Sequence, residues 1–296
     1  MHWPSILTYM TSSFLIVIVN KMVLTIFEFK SVPFLMFCQS LFTIIVLLFR
    51  WENIQRPNAE ILKICFLNSA NVFFGISAAG AINIAMFSAL RRISIAMTLF
   101  GQWFILNETP SRSVVLSVAM MILGAIVAVG DDLSFNMFGY ACIMMNNLFT
   151  AGAQIETKRA MMKDWTKISI LFWSAITSLC VFGLQLLHFN PSSFHEWDNV
   201  GFRISFICSV CLGVIINWGA SWTIEKNDAL TLAVAGSAKS AIMGLVVCLG
   251  LLDPTYVFTW INFVGLQIST VASIGYVYYV QEPPVLPTTV SSEEPL

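Results

Sequence analysis

The chain has 296 residues, 57% of them hydrophobic and only 10% charged, with a formal net charge of -1 and a mean hydropathy of +0.80. A soluble domain carries roughly 25% charged residues, so this surplus of apolar side chains needs an apolar solvent and leaves no stretch for a separate soluble domain. A near-neutral chain without clustered basic residues excludes nucleic acid as a partner.

Apolar runs able to cross a hydrocarbon core of about 30 Å recur from end to end. In order they predict ten spans, near 5–27, 33–50, 61–80, 82–106, 112–130, 136–157, 167–187, 201–224, 229–252 and 255–280. The division between the third and fourth rests on Gly75, Gly80 and Asn83 alone. The expectation is an all-α membrane protein with one polytopic domain over 1–280 and a cytosolic tail, 281–296, whose proline, serine, threonine and glutamate predict disorder. The first span is expected to act as its own insertion signal.

Lysine and arginine in short loops set orientation, because they stay on the cytosolic side. Loops after even-numbered spans hold nine (Arg50, Arg56, Lys63, Arg112, Lys158, Arg159, Lys163, Lys167, Lys226), and loops after odd-numbered spans hold Lys30 and Arg203. Both termini are therefore expected in the cytosol. Seven cysteines all fall in apolar stretches, and Cys208 and Cys211 have no second pair beside them, so packing is favoured over a disulfide framework or a metal site.

Four cations remain inside spans: Lys21, Arg91, Arg92 and Lys239. A cation at the bilayer centre costs about 2.5 to 3.5 kcal/mol by insertion scales, so it faces a watery cavity or an anion. Lys21 lies late in its span, within reach of the interface by snorkelling. Arg91, Arg92 and Lys239 each fall about ten residues into a span. Neighbouring helical residues point about 100° apart, so the two arginines cannot both face one narrow cavity squarely. Arginine offers a planar fork suited to phosphate and lysine a point charge for the same anion. Midplane cations in the fourth and ninth spans fit two five-helix halves of inverted topology, about 5–130 and 136–280. Around them stand Asn68, Asn71, Ser77, Asn83, Asn146, Asn147, Gln154 and Asn217. These groups could bond sugar hydroxyls or a base, or could bind helix to helix at roughly 0.6 kcal/mol per bond.

Several ordered motifs resemble those of the nucleotide-sugar transporters of the drug/metabolite transporter superfamily. They are Val19-Asn20-Lys21, Met86-Phe87-Ser88-Ala89-Leu90-Arg91-Arg92-Ile93-Ser94, Gly130-Asp131-Asp132-Leu133-Ser134-Phe135-Asn136 with Gly139-Tyr140, Asn227-Asp228-Ala229-Leu230-Thr231, Gly236-Ser237-Ala238-Lys239 and Asn262-Phe263-Val264-Gly265-Leu266. The lysine at the fourth position of Gly236-Ser237-Ala238-Lys239 is most like the UDP-sugar branch. The resemblance implies ten helices, alternating access, a Golgi or endoplasmic reticulum membrane, and exchange of a cytosolic nucleotide sugar for a lumenal nucleoside monophosphate. It also implies that Gly236, Ser237, Lys239 and Ser240 bind nucleotide and sugar, that Asn20 and Lys21 share the site, and that the span-seven segment Phe172-Trp173-Ser174 helps read the base. Ser240 and Ser174 stand where the family often carries amides. No cofactor is required, and a homodimer is compatible with this reading. Two other readings stay open: a carrier of another phosphorylated metabolite, and a non-transporting scaffold of the same fold. An enzyme is disfavoured, since no nucleophile, acid-base pair or metal cluster has the necessary spacing.

Overall fold

The computed structural model describes residues 1–29, 31–82, 87, 89–129, 136–186, 196–236 and 259–280. Among them every regular element is helical. Helix α1 spans Trp3–Lys21, with proline in its first turn, and passes into a π-helical turn, Met22–Ile26, where Phe27 N–H reaches back five residues to the Met22 carbonyl at 3.0 Å. The chain then reverses at Glu28, whose φ is 53°. Helices α2 (Val32–Leu48), α3 (Ala59–Ala81), α4 (Ile93–Ile105), α5 (Arg112–Val129), α6 (Met137–Met161), α7 (Lys167–Gln185) and α8 (Val200–Lys226) follow. Residues 229–236 form the described part of α9, and α10 is Trp260–Val280. Asn58, Asn136, Thr166 and Asn199 cap α3, α6, α7 and α8 by accepting from backbone N–H groups of the first turn, each cap worth about 1 kcal/mol.

The fourth span differs from its sequence expectation of one helix over 82–106. Helix α4 begins only at Ile93, and the residues before it make a tight turn in which Ser94 N–H bonds the Arg91 carbonyl at 3.1 Å and Ile95 N–H the Arg92 carbonyl at 3.0 Å. The turn leaves the Leu90 carbonyl without its helical donor, and Asn147 of α6 supplies one through Nδ2 at 2.9 Å. A broken helix survives at membrane depth when a neighbouring side chain satisfies the freed group.

Large apolar side chains face outward, among them Leu62, Phe66, Phe104, Leu116, Ile126, Ile204, Ile207, Val271 and Ile274, while serines, threonines and amides are buried. That distribution suits lipid as solvent. Four helical segments are long and apolar enough to cross a membrane (Trp3–Leu24, Ala59–Ala78, Lys167–Gln185, Val200–Lys226), and Val32–Leu48, Ile93–Ile105, Arg112–Ala128 and Phe263–Tyr276 are shorter apolar helices.

Helix α1 packs on α8, α3 on α6, α2 on α7 and α8, α3 on α7, and α5 on α10. Between α5 and α10 the backbones nearly touch, because a Cβ on Gly124 would fall 2.6 Å from the Gly265 carbonyl, and one on Gly265 would fall 2.5 Å from Ala128 N. Small residues allow this approach where lipid offers no hydrophobic drive to associate. Helix α6 touches α3, α4 and α8 and buries 12 of its 25 residues, which explains how it can carry Asn146, Asn147, Thr150, Gln154, Glu156 and Thr157. At one end of the bundle, where α1 begins, Glu156 is held by Lys63 at 2.6 Å and Arg159 at 3.7 Å. At the other end Phe27, Phe29, Phe34, Trp197, Phe202 and Phe206 form an aromatic cluster with ring centroids 5.3 to 6.1 Å apart.

Candidate functional site

The bundle encloses a cavity of about 380 Å³. It runs along α7 from Ile170 to Phe182, about 18 Å at 1.5 Å per residue. Its wall is built from polar stripes at helical period: Gln39, Ser40 and Thr43 on α2, Asn68 and Asn71 on α3, Thr150, Gln154 and Thr157 on α6, Ser174 and Ser178 on α7, and Asn217 and Ser221 on α8. Tyr9 of α1, Leu232 of α9 and Arg91 at the break before α4 also line it, and apolar side chains such as Met36, Val72, Leu171 and Ile216 fill the wall between the polar groups.

Arg91 is the sole cation among the described lining residues. It sits on the turn between the helical residues that end at Leu90 and the start of α4. Its guanidinium lies 5.9 Å from the centroid of the Phe87 ring. Arg92, one residue on, does not line the cavity: it is 2% exposed, and among the described residues no partner reaches any of its three guanidinium nitrogens.

The other expected residues are placed as follows. Ser174 lines the cavity and its Oγ accepts from Asn68 Nδ2 at 3.3 Å. Phe172 packs with Leu47 and Ile168, and Trp173 donates from Nε1 to the Gln55 carbonyl at 2.9 Å, so neither is among the lining residues. Asn20 is engaged between helices, its Oδ1 accepting from Ser209 Oγ at 2.5 Å. Gly236 stands beside the cavity residue Tyr9, because a Cβ there would lie 3.2 Å from the Tyr9 hydroxyl. Lys21 ends α1, and its side chain lies outside the described residues, as do Ser237, Lys239 and Ser240 entirely. The amides divide: Asn68, Asn71, Gln154 and Asn217 line the cavity, whereas Asn146 and Asn147 bond α3 and the chain before α4.

Sequence reasoning missed Tyr9, which reads as packing within an apolar helix. It also missed Gln39, Ser40, Thr43, Thr150, Thr157, Ser178 and Ser221. The three-to-four-residue spacing of polar residues within α2, α6, α7 and α8 was the available signal.

At the end where α1 begins, polar contacts tie the bundle together. Lys158 Nζ donates to the carbonyls of Ile224 at 3.1 Å and Asn227 at 2.6 Å, the His2 backbone N–H donates to Asn227 Oδ1 at 2.7 Å, and Lys167 pairs with Glu225 at 2.7 Å. In the loop between α4 and α5, burial and the charge of Asp228 hold the Glu108 carboxyl above the usual carboxylate range, against the opposing pull of Lys158.

An all-helical bundle with an apolar exterior, a broken span and a polar internal cavity holding a cation defines a polytopic membrane transporter. Comparison with known proteins narrows that class. The chain belongs to the Triose-phosphate Transporter family, within the drug/metabolite transporter superfamily, and the match covers residues 5–279. Family and relatives are transporters, not enzymes. The chain is 33% identical to the nucleotide sugar transporter SLC35D2 of Homo sapiens, covering 98% of this chain and 89% of the relative. It is 34% identical to the UDP-sugar transporter UST74c of Drosophila melanogaster over 93% of this chain and 76% of the other, and 33% identical to the UDP-sugar transporter sqv-7 of Caenorhabditis elegans over 91% and 86%. The nucleotide-sugar transporter resemblance of the motifs is thus met across nearly the whole chain. A solved crystal structure at 13% identity shares the fold with a TM-score of 0.67, covering 94% of this chain and 98% of that one.

Proposed function

We propose that this protein is a nucleotide-sugar antiporter of the Golgi or endoplasmic reticulum membrane, exchanging a cytosolic UDP-sugar for a lumenal nucleoside monophosphate by alternating access, with both termini cytosolic. The carrying observation is the cavity: about 380 Å³ of space, within the roughly 300 to 1,000 Å³ of small-molecule sites, where amides and hydroxyls stand among apolar side chains with one guanidinium at a helix break. Hydroxyls and amides suit sugar and base, and Arg91 suits phosphate. The names of the relatives support the substrate class.

In this reading Arg91 and Lys239 neutralise the diphosphate, and the segment 236–240 lies along the nucleotide. Two inverted repeats, about 5–130 and 136–280, fit the larger helix pairings: advancing each label by five turns α1 with α8 into α6 with α3 and α2 with α8 into α7 with α3, and returns α2 with α7 and α5 with α10 to themselves, whereas the smaller α6 with α8 contact has no such counterpart among the described residues. Exchange is obligatory because an empty carrier would have to reorient with unpaired cations.

The test is uptake of radiolabelled UDP- and GDP-sugars into proteoliposomes preloaded with UMP, GMP or buffer, for wild type, Lys239→Ala and Arg91→Gln. Uptake that needs the matching monophosphate inside and is lost in both variants is expected. Uptake indifferent to the internal nucleotide, or none from folded protein, overturns the proposal.

A further inference from the structure

Resting on the nucleotide reading above, we propose that Asn71 determines base specificity: it presents an amide NH2 to the ligand and so selects bases carrying a carbonyl oxygen over bases carrying an amino group at that place. The orientation of this amide follows from its neighbours. Asn146 Nδ2 lies 2.7 Å from the backbone carbonyl of Asn71. A backbone carbonyl only accepts, so the Asn146 atom facing it must be nitrogen. The same nitrogen lies 2.6 Å from the Asn71 side chain, and the atom that meets it there must be oxygen. The Thr150 hydroxyl also lies 2.7 Å from that oxygen, its single proton shared with the Asn146 backbone carbonyl at 2.7 Å, so the Asn146 amide is what fixes the orientation.

With its oxygen turned to α6, Asn71 has only its NH2 left for the cavity it lines, and among the described residues no acceptor takes those protons. The clamp is built in. Asn146 is 3% exposed, and Gly75 makes room for it, since a Cβ at Gly75 would fall 2.8 Å from Asn146 Nδ2. The opposite polarity occurs on α2. Gln39 Nε2 faces the Ser209 carbonyl at 3.3 Å and Ser209 Oγ at 3.0 Å, so its oxygen is the group left to accept from a ligand hydroxyl.

A fixed donor pairs with O4 of uracil or O6 of guanine, whereas N4 of cytosine and N6 of adenine would bring N–H against N–H. A site built to bond one group rejects the analogue that leaves its own group unpaired. Asn71 therefore supplies an amide to a cavity whose span-seven position is Ser174.

The test measures binding of UMP, GMP, CMP, AMP and ribose 5-phosphate by titration calorimetry to the purified full chain in detergent, for wild type, Asn71→Asp and Asn71→Leu. Asp turns an oxygen to the cavity and Leu offers neither donor nor acceptor; both approximate the size of Asn, and melting temperatures confirm folding. Taking the UMP to CMP ratio cancels any effect of the new charge on phosphate. Wild type should prefer UMP over CMP, and GMP over AMP, by about ten-fold or more. The ratio should fall to within about two-fold in Asn71→Leu and fall further or invert in Asn71→Asp. A wild type without that preference, or a preference surviving both substitutions, overturns the proposal. Ribose 5-phosphate binding as tightly as UMP would overturn it while leaving an anion carrier standing; no binding of any compound would sink the nucleotide reading itself.

Discussion

Arg91 and Arg92 are adjacent in sequence, yet replacing each by methionine should have opposite consequences. Arg91 borders the cavity, and its guanidinium lies over the Phe87 ring at 5.9 Å, a contact worth about 0.5 to 1 kcal/mol where exposed. Losing that contact costs the fold little. A charge-assisted bond to a ligand phosphate, however, contributes about 1.5 to 3 kcal/mol, so Arg91→Met should weaken UMP binding by roughly 10- to 150-fold. Arg92 is 2% exposed with no guanidinium partner among the described residues, a charge held out of water without return. Replacing buried ionic groups by apolar residues of similar volume is often neutral or stabilising by about 1 to 4 kcal/mol, so Arg92→Met should keep or raise the melting temperature. It should also leave UMP affinity within about three-fold of wild type. Calorimetric titration with UMP and thermal unfolding in detergent read both quantities. If Arg92→Met lost UMP binding as Arg91→Met is expected to, or if Arg91→Met bound normally, the assignment of Arg91 as the cavity cation would be wrong.

Gly124→Ile should lower the melting temperature sharply, because its Cβ would meet the Gly265 carbonyl at 2.6 Å, whereas Gly275→Ala, whose nearest contact would be Ser117 Oγ at 3.8 Å, should be tolerated; a differential melting scan compares them. Lys63→Met should destabilise more than Glu156→Gln, since the first strands a carboxylate with a 10% exposed side chain beside a 3.7 Å arginine, while the second releases a lysine that is 54% exposed. Glu108 supplies a pH test. Its folded carboxyl is raised above 4.5, so between that value and the raised one the folded state holds more proton than the unfolded, and stability falls as pH rises through the window. Glu108→Gln should remove that part of the decline and raise the melting temperature at pH 7; an unchanged pH profile would refute it.

Much of the helical layout was legible because lipid imposes one rule, that long apolar runs become helices with satisfied backbones, and α2, α3, α5, α6, α7 and α8 fall within a few residues of their expected places. The break in the fourth span was not legible. It depends on Asn147, which lies 57 residues from the Leu90 carbonyl it serves, and hydropathy does not register a turn stabilised from another helix. Composition could nominate Arg91 and Arg92 together and say that one cavity could not take both squarely; only the turn at the start of α4 determines that Arg91 takes it. Tyr9 was hidden for a related reason, since a phenol in an apolar helix looks like packing until Gly236 and Gly219 are seen to crowd against it.

The amides pose a sharper question, because residues that join helices and residues that bind ligand look alike in sequence. The structure shows why the two roles belong together. A cavity amide with both ends free would turn to suit any ligand, and its bond would carry little discrimination. Asn146 holds Asn71 by its oxygen, and Ser209 holds Gln39 by its nitrogen while also donating to Asn20. Each contact between helices therefore fixes which polar group the neighbouring amide can offer inward. A bond worth roughly 0.6 kcal/mol as attachment can then have a larger effect as orientation, because a misdirected donor in a site shielded from water costs about 1 to 3 kcal/mol. Asn146 and Asn71 should accordingly be strongly non-additive in a double-mutant cycle on the UMP to CMP ratio, with Asn146→Ala removing most of the discrimination that Asn71→Leu removes and the double variant losing little more. Additive effects of the two substitutions on that ratio would mean that Asn146 merely joins α6 to α3.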